Sequence, residues 1–124
     1  MPAPGRWRGR GLVPDAGGLQ IAQDAGIQTA SVDHKAYDSK AAFEGALQDV
    51  LSSHEIDLIC LAGFMRLLSA DFIGRWPDQI INIHPSLLPA YKGLDTHARA
   101  IADGAVEAGC TVHVVIPEMD AGPV

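Results

Sequence analysis

Apolar positions along this chain recur with two different periods, and their alternation predicts the architecture. Leu19, Ile21, Ala22 and Ala25 follow Asp15, a residue suited to capping a helix, and Gly26 is suited to ending it. Ile27 to Val32 reads as a short strand. Phe43, Ala46, Leu47, Val50 and Leu51 fall on one helical face, with Asp38 or Ser39 as the cap. Ile56 to Ala62 is a near-continuous apolar run, the pattern of a strand buried on both faces of a parallel sheet. Ser69 opens a short helix before Trp76-Pro77, and Gln79 to Ile83 is the next strand. Thr96 to about Ala105 reads as a helix, and Cys110 to Ile116 as a strand that Pro117 stops. Strands alternating with helices predict an α/β fold with a parallel sheet of about four strands.

Residues 1–12 depart from this pattern: they are rich in Pro, Gly and Arg and lack apolar periodicity. They are expected to form a disordered basic tail ahead of a domain spanning 13–124. At 124 residues the chain is one domain at most. Its net charge of -6 argues against nucleic acid as a partner. No apolar run approaches the roughly 18 residues of a membrane span, and no signal-peptide pattern is present. A cytoplasmic protein with no membrane partner is expected. Cys60 and Cys110 sit in apolar runs and read as buried, reduced thiols. No metal-binding spacing joins them, so no metal is expected.

The chemistry concentrates in Asn82-Ile83-His84-Pro85-Ser86-Leu87-Leu88-Pro89. Residues two apart in an extended segment point the same way, so Asn82 and His84 are expected to face one pocket. An amide donates to a carbonyl oxygen as negative charge grows on it, and an imidazole moves a proton near neutral pH. Those are the groups that acyl transfer to an amine needs. Asn82 could instead cap a turn, and His84 could be a packed histidine.

This motif resembles the formyltransferase family that uses 10-formyltetrahydrofolate. Three further stretches are similar to the family: Leu61 to Leu68, Lys92 to His97, and Glu118 to Val124. Thr96-His97 and Met119 to Pro123 favour its purine-synthesis branch over the branches that formylate methionyl-tRNA or deformylate the folate. The resemblance implies a Rossmann-like parallel sheet with flanking helices, binding ligand beyond the strand ends. It implies formyl transfer from 10-formyltetrahydrofolate as cosubstrate to the amine of glycinamide ribonucleotide. Asn82, His84 and Asp120 are the implied catalytic residues. Lys40, Met65, Arg66, Leu67, Leu68 and Asn82 are the implied folate-binding residues, Lys40 at a position where the family has arginine. Pro89 is implied to follow a cis bond.

The resemblance leaves family segments unmatched on both sides, so a formyltransferase fold truncated at both ends is expected. The motifs leave open a formyltetrahydrofolate hydrolase, another formyltransferase, or an inactive fragment or binding module. Other residues carry less. Asp120 before Ala-Gly-Pro is also good turn chemistry. His113 alternates with Thr111 and Val115 and reads as a support of the site. His97 begins a helix near the substrate. His34 and His54 read as surface residues, and the oligomeric state is not indicated.

Overall fold

The computed structural model describes residues 9–11, 17–64 and 66–124. The chain divides into two compact units, residues 1–55 and 56–124, each described by itself.

In the first unit, strand β1 (Gly9–Gly11) and strand β2 (Thr29–Ser31) pair in parallel, with Gly9 opposite Thr29, and helix α1 (Gly17–Asp24) connects them. β1 lies inside the segment expected to be a disordered tail, and three residues of that expectation are thereby corrected. Parallel pairing needs only backbone donors and acceptors, so Gly-Arg-Gly gives no hydrophobic signal of it. The remainder of the expected tail and the expected cap Asp15 lie outside the described residues. α1 ends as its glycine predicts. Gly26 takes φ +74°, its N–H donates to the Gln23 carbonyl, and the Ile27 N–H reaches back to the Ala22 carbonyl at 2.9 Å.

Helix α2 (Lys40–Ser52) starts at Ser39, whose hydroxyl accepts from the Ala42 N–H at 3.1 Å. Its inward face buries Phe43 and Leu51, with Ala46, Leu47 and Val50 half-buried beside them. His34 and His54 are half-buried rather than on the surface. The His34 ring meets Phe43 edge-on at 6.4 Å, and His54 Nδ1 lies 2.7 Å from the Val50 carbonyl. These contacts are local to α2, where sequence alone shows no constellation.

The second unit is built on a three-stranded sheet in the order β3 (Ile59–Ala62), β4 (Ile80–His84), β5 (Thr111–Val114). β3 and β4 are parallel, joined through helix α3 (Ala70–Gly74), whose first turn is capped by Ser69. β5 is antiparallel to β4, which corrects the expectation of a wholly parallel, four-stranded sheet. After His84 the chain runs through a loop and helix α4 (Thr96–Ala102), then returns at the same end of β4, with Thr111 opposite His84. The apolar run Cys110 to Ile116 looks the same whichever way the strand points, so composition does not report the direction.

Register places Leu61, Asn82 and His113 side by side across the three strands. The opposite face carries Cys60, Ala62, Ile83 and Val112, all exposed. Cys60 is therefore an exposed free thiol, and so is Cys110, which precedes β5. Both differ from the expected buried thiols, because the apolar runs that hold them have one open side. The buried apolar residues of this unit are Ile80, Phe72, Trp76 and Leu68.

The chain beyond β5 folds back on it. The Val114 N–H donates to the Pro123 carbonyl at 2.8 Å. Gly122 is buried where a Cβ would overlap the Val114 carbonyl, so only glycine lets the segment lie this close.

Two stability predictions follow from this packing. Ile80 is fully buried and Ile101 is 80% exposed. Ile80→Ala should cost about 2–5 kcal/mol in denaturant unfolding, and Ile101→Ala less than about 0.5 kcal/mol. Equal losses would contradict the assigned core. Gly122→Ala should destabilise by about 1–3 kcal/mol through overpacking. Gly45→Ala, inside α2 with open space around it, should stabilise by roughly 0.5–1 kcal/mol. Matching signs for the two glycine variants would refute the close approach at Gly122.

Candidate active site

One cleft of about 890 Å³ opens on the second unit, and Asn82, His84, His113 and Asp120 all line it. β4 supplies Asn82 and His84, whose two-residue spacing turns both toward the cleft as expected. β5 supplies His113, the residue paired with Asn82 in the antiparallel ladder. The loop after β5 supplies Asp120, held at φ +53°. Aspartate tolerates this left-handed conformation better than most residues. All three sequence-derived catalytic candidates therefore meet in one place.

Hydrogen-bond chemistry assigns the roles of the ring nitrogens. His113 Nδ1 lies 3.1 Å from the Val114 carbonyl, which can only accept, so Nδ1 donates. In the neutral ring Nε2 then accepts, and it takes a hydrogen from Asn82 Nδ2 at 3.2 Å. His84 Nε2 lies 2.9 Å from the Tyr91 carbonyl and donates to it. His84 Nδ1 is left facing Asp120 Oδ2 at 3.5 Å. The other carboxylate oxygen, Oδ1, is 3.9 Å from His113 Nε2. Asp120 thus sits between two imidazoles, 10% exposed, while the His84 and His113 side chains are 7% and 4% exposed. Its firm anchor is the backbone, since the Gly93 N–H donates to Oδ2 at 2.9 Å.

The 91–95 turn that carries Gly93 is itself clamped. Arg99 Nη1 donates to the Lys92 and Leu94 carbonyls at 2.7 and 2.9 Å, and its guanidinium lies over the Tyr91 ring. Desolvation, with the neighbouring Asp103 carboxylate, pushes the Tyr91 phenol above its ordinary value, against the opposing pull of Arg99.

The expected folate residues divide. Arg66, Leu67 and Leu68 line the cleft, with Leu68 buried and the other two exposed. Met65 lies outside the described residues. Lys40 opens α2 in the first unit and is exposed, whereas every lining residue of the cleft belongs to the second. His97 lines the cleft from the first turn of α4. The Leu88–Pro89 bond is cis. Among the described residues no cluster of His, Cys, Asp or Glu has the arrangement of a metal site.

His113 supports the site as expected, through its bond with Asn82, though the antiparallel register that makes the bond is not visible in the sequence. Sequence reasoning missed one contributor. Gly93 acts through its N–H, which no side-chain pattern records.

Known proteins share the sequence and the fold. Residues 12–124 match the family model described as formyl transferase. The chain is 49% identical over 107 residues to the trifunctional purine biosynthetic protein adenosine-3 of Gallus gallus, covering 86% of this chain and 11% of that protein. It is 44% identical over 110 residues to the phosphoribosylglycinamide formyltransferase of Escherichia coli K12, covering 89% of this chain and 52% of the relative. The crystal structure of glycinamide ribonucleotide transformylase 1 from Symbiobacterium toebii superposes with a TM-score of 0.88 at 44% identity, covering 92% of this chain and 54% of that one. The chain thus spans about half the length of the single-activity relatives, and its α/β, Rossmann-like fold is theirs. With the family match running through every strand of the second unit's sheet and every residue of the cleft, the chain belongs to the formyl transferase family.

Proposed function

We propose that the cleft serves formyl transfer from 10-formyltetrahydrofolate to the amine of glycinamide ribonucleotide, a step of de novo purine biosynthesis. The observation that carries the reading is the convergence of Asn82, His84 and Asp120 on one cleft. The names of the similar proteins support the same substrate class.

The residues present suit a flat, largely apolar cosubstrate. Small-molecule sites typically measure about 300–1,000 Å³, and this cleft falls in that range. Leu61, Leu67 and Leu68 would wall the folate ring, with Arg66 at hand for polar groups. The roles proposed for Met65 and Lys40 rest on sequence resemblance alone. When bound, the folate supplies an electrophilic formyl carbon.

The chain's own residues then do three things. Asn82 Nδ2 carries two hydrogens; one is engaged by His113, leaving the other for the charge that grows on the formyl oxygen. His84 donates to Tyr91 from Nε2, so Nδ1 is the position through which it takes a proton from the amine and passes one to the departing nitrogen. Asp120 faces Nδ1 and stabilises the ring while it is positive. Action in the cytoplasm belongs to the same proposal; among the described residues no helix is long and apolar enough to cross a membrane.

The test is an assay of formyl transfer by this chain joined to the remaining segments of the Escherichia coli relative. Transfer to glycinamide ribonucleotide is expected. Asn82→Ala and His84→Ala should each lower kcat about 100-fold or more while changing KM little, because both act on charge that develops in the transition state. Formate release without transfer would favour a hydrolase instead, and losses confined to KM would remove both residues from the chemistry. Asp120→Asn keeps an oxygen for the Gly93 N–H but removes the charge beside His84. It should reduce kcat with the unfolding midpoint nearly unchanged; full activity would exclude the carboxylate from the site.

A further inference from the structure

The hydrogen bonds around His84 continue beyond its ring. The Tyr91 carbonyl that accepts from His84 Nε2 also receives the Ser86 hydroxyl at 3.3 Å, which reaches the Ala90 carbonyl at 2.6 Å. The Ser86 backbone is held in turn from β5. Thr111 Oγ1 donates to the Ser86 carbonyl at 2.7 Å and accepts from the Leu88 N–H at 3.0 Å. Thr111 is the residue opposite His84 in the ladder. His84, Ser86 and Thr111 are 5%, 5% and 9% exposed. Neither Ser86 nor Thr111 lines the active-site cleft, so neither is placed to touch a substrate there.

We propose that Ser86 and Thr111 are positioning residues that set the tautomer of His84. A carbonyl oxygen only accepts, so a Tyr91 carbonyl fixed at Nε2 keeps the hydrogen of the neutral ring on Nε2. Nδ1 is then the nitrogen left to exchange a proton, opposite Asp120 Oδ2. Asp120 faces the ring, and His113 lies on the other side of that carboxylate. Arg99 holds the far side of the same turn through the Lys92 and Leu94 carbonyls. Thr111 acts through a hydroxyl that donates and accepts at once. Serine reproduces that, and valine, of nearly the same shape, does not.

The catalytic meaning of this arrangement rests on formyl transfer being the reaction of the site, but the ring geometry does not. The experiment is therefore long-range proton–nitrogen NMR on the 124-residue chain with isotopically labelled histidine, the pH raised until the His84 nitrogen signals stop changing. In the wild-type chain His84 should show one tautomer, with its hydrogen on Nε2. Thr111→Val should turn this into a mixture, Ser86→Ala should do so in part, and Thr111→Ser should restore the single form. A purely structural role would lower the unfolding midpoint and leave the tautomer alone. A wild-type ring with its hydrogen on Nδ1, or a folded Thr111→Val chain with the tautomer unchanged, would overturn the proposal. If Thr111→Val does not fold, an unchanged tautomer in Ser86→Ala overturns it equally. Absence of formyl transfer alongside the expected tautomers would refute the functional reading and leave this one standing.

Discussion

The site depends on one constraint, the antiparallel register of β4 and β5. That pairing sets Asn82 against His113 and His84 against Thr111. The first pair makes the direct bond from Asn82 Nδ2 to His113 Nε2. The second brings the Thr111 hydroxyl to the loop that orients the His84 ring. A slip of one residue would turn every β5 side chain to the other face. A valine would then stand where His113 does, and the cleft would gain an apolar wall in place of an imidazole.

Loops complete what the ladder begins. Asp120 cannot reach His84 from a strand; it arrives on a segment folded back against β5, where Gly122 permits contact with the Val114 carbonyl. The Gly93 N–H then fixes one carboxylate oxygen. Buried carboxylates are costly unless paired, and here the Gly93 N–H donates to the anion, while the His84 ring adds a second donor only when it is protonated. That grouping leaves His84 Nδ1 beside a charge, where the proposed proton transfer needs it.

Much of this was legible in the residues. The helical spacing of Phe43, Val50 and Leu51, the caps at Ser39 and Ser69, and the Gly26 terminus all act locally, and local signals survive in sequence. The pairing of Asn82 with His84 was legible because strand periodicity alone puts both on one side. The direction of β5 was not, since its apolar run carries no arrow. Nor were the exposures of Cys60 and Cys110, because apolar runs signal burial without saying which face is covered. β1 escaped notice for a related reason: its pairing is made by backbone groups in a stretch without apolar residues. Gly93 and the Tyr91 carbonyl contribute main-chain atoms, which every residue has.

The register is open to direct measurement. Cross-strand nuclear Overhauser contacts in the labelled chain should connect residue 82 with residue 113 and residue 84 with residue 111. Contacts linking Asn82 to Val112 or Val114 as its direct partner would place the ladder one residue out. They would separate Asn82 from His113 and contradict the account of the site.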